Sequence, residues 1–307
     1  MITALTKQQK VVKATNYGVN EQVIPKTAGT FLDRGILFAS RGEWQLAIVD
    51  FTEAIKLDPN LSAAYALRGR AYFSNASYVV TIGNNFSNVT TEIESIRQIS
   101  GNQKSQYELA IYDFTQTLRL DPNNFVVYRE RGVAYSDNGD FDKALADYTQ
   151  SLRLSPNYAW AYNNRGNTYE AKRDYPNAII AQTQAIRLDP NFIAAYVSRG
   201  SAYSRQGDYN NALSDYNKAI KIDPNYVRAY NNRGCLYMDL ENLDKAIADF
   251  DYALKLNPNY TTSLKNRAVA YYYKGNRNRA IADLETVLRI NPNDSWAKEN
   301  MEEIRRQ

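Results

Sequence analysis

Along most of the chain, a large apolar or aromatic residue stands four positions before a small residue and another stands three after it. Tyr128, Gly132 and Tyr135 show the spacing, as do Tyr196, Gly200 and Tyr203, and it places each trio on one face of a helix. A second helix is predicted after each first one, its face marked by Ala144, Tyr148 and Ser151, or by Ala246, Phe250 and Ala253. The two helices are therefore amphipathic toward each other. Glycines at 42, 139, 207 and 275 fall where the first helix must end and reverse, which suits a residue free to take positive φ. Asp-Pro-Asn at 58–60, 121–123, 189–191 and 223–225 stops the second helix, since Pro cannot continue it.

The pattern is periodic. Prolines stand at 122, 156, 190, 224, 258 and 292, always 34 apart, and Pro59 precedes the series by 63, which is one period plus 29. Arg-Gly keeps the same beat at Arg34-Gly35, Arg68-Gly69, Arg131-Gly132, Arg165-Gly166, Arg199-Gly200 and Arg233-Gly234, then becomes Arg267-Ala268. A 34-residue helix–turn–helix unit of this kind resembles the tetratricopeptide repeat family. The resemblance implies an all-α, right-handed superhelical solenoid of antiparallel helix pairs whose first helices line a concave groove. It divides the chain into a partly disordered leader at 1–27, seven units over 28–294, and a capping helix at 295–307 whose charged residues suit an open solenoid end. One departure is that Arg stands before the small residue in all seven units, where the family usually has Leu.

That Arg has a partner in the pattern. Asp50, Asp113, Asp147, Asp215, Asp249 and Asp283 recur in the second helix, and only the fourth unit differs, with Ala181. A matching carboxylate in nearly every unit favours an Arg–Asp ion pair between helices, within or across units, over an arginine ladder awaiting phosphate.

The extra 29 residues fall between the two helices of the second unit, about 75–103. Tyr78–Ile82 is apolar and β-prone, and Thr90–Ile99 reads as a short helix carrying Ile93, Ile96 and Ile99 on one side. Such a side needs cover. Tyr78 and the three isoleucines either pack on the solenoid as a local decoration or dock a partner. Three glycosylation sequons, at Asn75, Asn85 and Asn88, are expected to be without meaning, since no signal peptide is read in the sequence.

Composition narrows the chemistry. The 307 residues contain no His and one Cys, which removes imidazole catalysis, the commonest metal ligand and any intrachain disulfide. No phosphate-cradling glycine loop or hydrolase motif is present, so the expectation is no enzyme, no cofactor and no metal. Net charge is +4, and the leader holds four lysines against one glutamate, so the body is close to neutral and lacks a nucleic-acid footprint. No stretch is long and apolar enough to span a membrane, and a cytoplasmic location is the default. The 25 tyrosines are read as filler around the close-packed small residues.

By resemblance, first-helix residues on the side away from the second helix contact bound peptides. Here they are Arg129, then Trp160, Asn163, Asn164 and Asn167, then Arg228, Asn231 and Asn232, then Lys265 and Asn266. The fifth unit looks bland there, with Val197, Ser198 and Ser201. Asn donates and accepts, so a row of them grips a peptide backbone, and Trp160 supplies an aromatic anchor. The alternative is a face of merely solvated residues. The asparagine series also resembles the groove of tetratricopeptide glycosyltransferases, without a catalytic domain. The two-carboxylate clamp that reads chaperone C-terminal tails matches only at Asn167 and Arg228, which argues against such a tail as partner. A reactive Cys235 would need a cation such as Arg228 beside it. The leading reading is a scaffold that holds a peptide or helix of a partner protein. The alternative is a dedicated subunit or assembly factor that docks through the insertion and the convex surface.

Overall fold

The computed structural model describes residues 26–83 and 103–306, with side chains described for 26–76 and 106–306. Among the described residues every regular element is an α-helix. They form two compact units, 26–83 with 103–156, and 157–306. The first holds three helix pairs: α1 (Ala28–Arg41) with α2 (Trp44–Leu57), α3 (Ser62–Gly83) with α4 (Gln103–Leu120), and α5 (Phe125–Asp137) with α6 (Phe141–Leu154). The second holds four pairs and a final helix. The pairs are α7 (Ala159–Ala171) with α8 (Tyr175–Leu188), α9 (Ile193–Gln206) with α10 (Tyr209–Ile222), α11 (Val227–Asp239) with α12 (Leu243–Leu256), and α13 (Thr261–Tyr273) with α14 (Arg277–Ile290). The final helix is α15 (Ser295–Arg306), which turns Ala297 and Ile304 into the core of the last pair and leaves Lys298, Glu299, Glu302, Glu303 and Arg305 exposed.

Close approach explains the small residue. A Cβ added to Gly132 would stand 2.7 Å from Cε1 of Tyr148, a ring that is 1% exposed and cannot move aside. In the last pair Ala268 occupies the glycine position, and the residue opposite is Leu284 rather than an aromatic. The methyl group on one helix is matched by the smaller side chain on the other.

The turns follow from local chemistry. Gly139 and Gly207 end their first helices with φ of 89° and 87°. In α7 and α11 the same position falls to Arg173 and Glu241, with φ of 61° and 56°. A non-glycine residue pays a steric penalty there, so Arg173→Gly should raise stability by about 0.5–1 kcal/mol, the relief of strain being partly offset by the freer unfolded chain. Urea melts of the full chain check this, and a loss of stability would refute it. At the other end, the carboxylates of Asp58, Asp189 and Asp223 accept the N–H two residues on, at 2.9–3.0 Å, closing a small turn around the proline that bars further helix.

Six of the seven repeat arginines are clasps. Arg131 donates through Nε and Nη2 to Asp147 at 2.7 and 2.8 Å, and through Nη1 to Thr115 of the preceding second helix at 3.0 Å. Its guanidinium lies between the rings of Tyr128 and Tyr135, 5.6 and 5.8 Å from their centroids. The same paired bonds join Arg34 to Asp50, Arg68 to Asp113, Arg199 to Asp215, Arg233 to Asp249 and Arg267 to Asp283, in every case within one helix pair. The backward bond recurs from Arg68 to Thr52, Arg199 to Thr183, Arg233 to Asn217 and Arg267 to Asp251. Burial pushes the carboxyls of Asp113, Asp147 and Asp215 above their usual range against the pull of their arginines, the expected sign of desolvated pairs.

The insertion lies between α3 and α4, and both helices run into it. Tyr78–Ile82, β-prone by sequence, are helical. The turn before them is packed: Ala76 is fully buried, Asn75 is buried beside Gln106, and Phe73 meets Tyr107 with ring centroids 5.6 Å apart. The helix of a packed turn thus runs on through a segment of opposite local propensity. The side chain of Tyr78, and Ile93, Ile96 and Ile99 altogether, lie outside the described residues.

Candidate functional site

In the unit 157–306, the first helices α7, α9, α11 and α13 follow one another in contact, so their sides away from the second helices form one continuous strip. The sequence candidates divide into three kinds along it. Asn167 and Arg228 are exposed, and Trp160 is 39% exposed while its ring rests on buried Phe192, centroids 4.6 Å apart. Trp160 is thus held in place by the core and presents only its outer part.

A second kind is committed to neighbours. Asn231 is buried and its Oδ1 accepts from Ser263 Oγ at 2.9 Å and Asn266 Nδ2 at 3.1 Å, while its Nδ2 donates to Asn232 at 3.2 Å. Asn266 also donates to the Cys235 sulfur at 3.1 Å. Lys265 pairs with Asp294 at 2.6 Å and stands over the Trp296 ring. In the other unit, Arg129 meets Glu130, which also receives Arg70 at 2.9 and 3.0 Å.

The third kind is buried with polar atoms unmet. Asn163 and Asn164 are 4% and 7% exposed, and neither Oδ1 of Asn163 nor Nδ2 of Asn164 has a hydrogen-bond partner among the described residues. The contrast with Asn231 has a cause in the sequence. Where Asn231 meets Ser263, the equivalent neighbour of Asn163 is Ala195, which offers no hydroxyl.

Sequence reasoning missed the most connected part of the strip. Ser201 donates to Glu170 Oε1 at 2.7 Å, linking α9 to α7. Burial pushes the Glu170 carboxyl up, opposed by that hydroxyl and by the charges of Arg205 and Arg228. The buried Tyr216 hydroxyl is raised as well, first by burial and then by Glu170 and Cys235. Glu170 and Arg205 carried a readable signal: each lies three or four residues beyond a named strip position, Asn167 and Ser201, on the same helical face. Cys235 is pushed up to about 11 by burial, with Asp239 adding and Arg205 rather than Arg228 opposing. Its thiol stays protonated at neutral pH and is a poor nucleophile.

The fourth pair departs from the others at two adjacent positions of α8. Ala181 replaces the aspartate, and Gln182 replaces the aromatic or leucine found at the equivalent site in the other six pairs. Gln182 is fully buried against Gly166, donates to Asn167 at 3.4 Å, and its Oε1 is unpartnered. Among the described residues no group of His, Cys, Asp and Glu could hold a metal ion, and no helix is long and apolar enough to cross a membrane.

Comparison with known proteins gives the same repeat. Models of the TPR repeat match residues 134–173 and 200–240, and tetratricopeptide repeat models match 114–146, 159–192, 227–260 and 262–294. No curated protein matches the chain by sequence. Among solved structures, a tetratricopeptide repeat protein from Parabacteroides merdae aligns with TM-score 0.67 at 18% identity, over 90% of this chain and 98% of that one. PilW, a widely conserved type IV pilus biogenesis factor, aligns with TM-score 0.58 at 18% identity, over 70% of this chain and 100% of that one. The APC/C hetero-tetramer Cut9-Hcn1 aligns with TM-score 0.58 at 18% identity, over 97% of this chain and 60% of that one. At these identities the likeness concerns the fold. Since the helix pairs, the repeat models and the solved neighbours all agree, the chain belongs to the tetratricopeptide repeat family.

Proposed function

We propose that the chain is a non-enzymatic interaction scaffold that holds a peptide or helix of a partner protein against the first-helix strip of residues 157–306. The observation that carries this reading is the combination of an anchored, outward Trp160 and exposed Asn167 with exposed Arg228 and Arg205 beside the part-buried Glu170–Ser201 bond. An aromatic fixed by the core loses little entropy on binding, and flanking amides and cations supply orientation. The unmet polar atoms of Asn163 and Asn164 suit a backbone, which brings both N–H and C=O.

The test is affinity of the full chain for peptides selected from a random displayed library. Trp160→Ala should weaken the selected peptides at least tenfold, roughly 1.4 kcal/mol, and Asn167→Ala and Arg228→Ala should weaken them less. Asn164→Ala should lower affinity while raising thermal stability, since it removes a buried donor without a partner and Ala is the better helix former. Affinities unchanged in all four variants would refute the strip as the binding face.

A second reading has its own observation. On α2 and α4, which flank the Arg68 clasp through Thr52 and Asp113, Leu46, Val49, Leu109 and Tyr112 are 49%, 57%, 40% and 56% exposed. At the position of Leu46 and Leu109 the later pairs carry Lys143, Asn211 and Lys245. Exposed apolar residues at both positions occur in the first two pairs, whereas the fourth pair has Asn177 at the first and Ile180, 58% exposed, at the second, and such a doubled patch suits a subunit or assembly factor that docks its complex there. Loss of partner binding in Val49→Lys with Tyr112→Lys, with the Trp160 variant unaffected, would favour this reading.

A further inference from the structure

The arginine of the fourth pair is set apart from the other six. In each of those pairs Nε and Nη2 hold the two oxygens of one aspartate at 2.6–2.8 Å. At the aspartate position opposite Arg165 stands Ala181, and the Arg165 guanidinium rests over the Tyr162 ring, 5.2 Å from the centroid. Its Nε is buried and has no hydrogen-bond partner among the described residues. The fork that this chain uses for carboxylates is therefore present in α7 without its anion. Ala181 replaces the acidic side chain with a methyl group, and it is 1% exposed, so the removal happens beside a dry, positively charged edge.

We propose that Arg165 is the receptor for a carboxylate supplied from outside the repeat, held through Nε and Nη2 as the aspartates are held elsewhere. Three features support it. The geometry is one that the same chain builds with its own aspartates in every other pair. The buried, unpartnered Nε carries a desolvation penalty that an arriving carboxylate relieves, and a bidentate pair on a planar fork is the strongest form of that relief. Planarity also selects the ligand: a carboxylate matches the fork with two parallel bonds, while chloride offers no such pair of acceptors. By the register of the other pairs the site lies between a first and a second helix, whereas peptide binding is proposed on the side of the first helices away from the second. Its ligand is either a small free carboxylate or the side chain of an aspartate or glutamate presented by a partner.

The experiment is thermal melting of the full chain in rising sodium formate, in the amide of N-acetyl-aspartate, and in sodium chloride at equal ionic strength. The parent should show a saturable rise in Tm with carboxylate beyond that in chloride. Ala181→Asp, which supplies the anion internally, and Arg165→Met, which removes the fork, should show no excess over chloride. A response to formate alone assigns a free small carboxylate, and a response to both assigns access to an acidic side chain. If the parent shows no excess over chloride, or if Arg165→Met responds as the parent does, the proposal is wrong. Should Ala181→Asp fail to fold, the comparison between parent and Arg165→Met decides alone.

Discussion

Asp147→Ala should destabilise the chain by about 3–5 kcal/mol, among the largest effects of any single truncation outside the hydrophobic core. The carboxylate is 8% exposed and its partner Arg131 is 16% exposed, so its removal strands a guanidinium between two tyrosine rings with only Thr115 to satisfy it. Most of the loss is the cost of that stranded charge rather than the worth of the pair. Burial raises the Asp147 carboxyl even with Arg131 bonded to it, as expected where desolvation of the carboxylate outweighs the pull of its partner. It follows that replacing both partners with apolar residues of similar volume, Arg131→Met with Asp147→Leu, should cost far less than the single change. Urea melts of the two variants decide it. If Asp147→Ala costs under about 1 kcal/mol, the clasp is an exposed ion pair in effect and the account given of it fails.

Gly132→Ala should cost about 1–3 kcal/mol although alanine is the better helix former by about 1 kcal/mol. The new methyl group would meet Cε1, Cδ1 and Cζ of Tyr148 at 2.7, 3.0 and 3.1 Å, and that ring is fully packed. The last pair supplies the remedy in its own sequence, Ala268 facing Leu284. Gly132→Ala combined with Tyr148→Leu should therefore cost less than the sum of the two single changes, with a coupling of about 0.5–3 kcal/mol. Strict additivity in a double-mutant cycle would show that the glycine is required for some reason other than this contact.

The fold was legible because its signals repeat. Period, turn glycines and proline stops recur too often to be misread, and the Arg–Asp pairing was visible as a co-occurrence before any distance was known. The candidate strip was less legible because exposure there depends on what the adjacent first helix brings to the same level. Asn231 is satisfied by Ser263, and Asn163 is left unmet by Ala195, so two asparagines at equivalent positions differ through residues thirty-two away. Glu170 and Arg205 lie toward the ends of their helices, one turn beyond Asn167 and Ser201, where the repeat pattern gives no cue to them and only the helical face does. Lys265 was read as available to a ligand, yet Asp294, in the turn before α15, takes it.

The backward bond of the clasp bears on how such an array comes apart. Arg199 belongs to α9, holds Asp215 of its partner helix and also reaches Thr183 of the pair before, so one part-buried cation is shared by three helices. Arg233 and Arg267 repeat the arrangement toward α13. A helix pair cannot peel away without breaking the bond that its arginine makes to the preceding pair, and repeats that would otherwise melt one at a time are linked to their neighbours. From α8 to α14 the arginines thus act as rivets across the joints between pairs, and the unit of opening is longer than the unit of sequence.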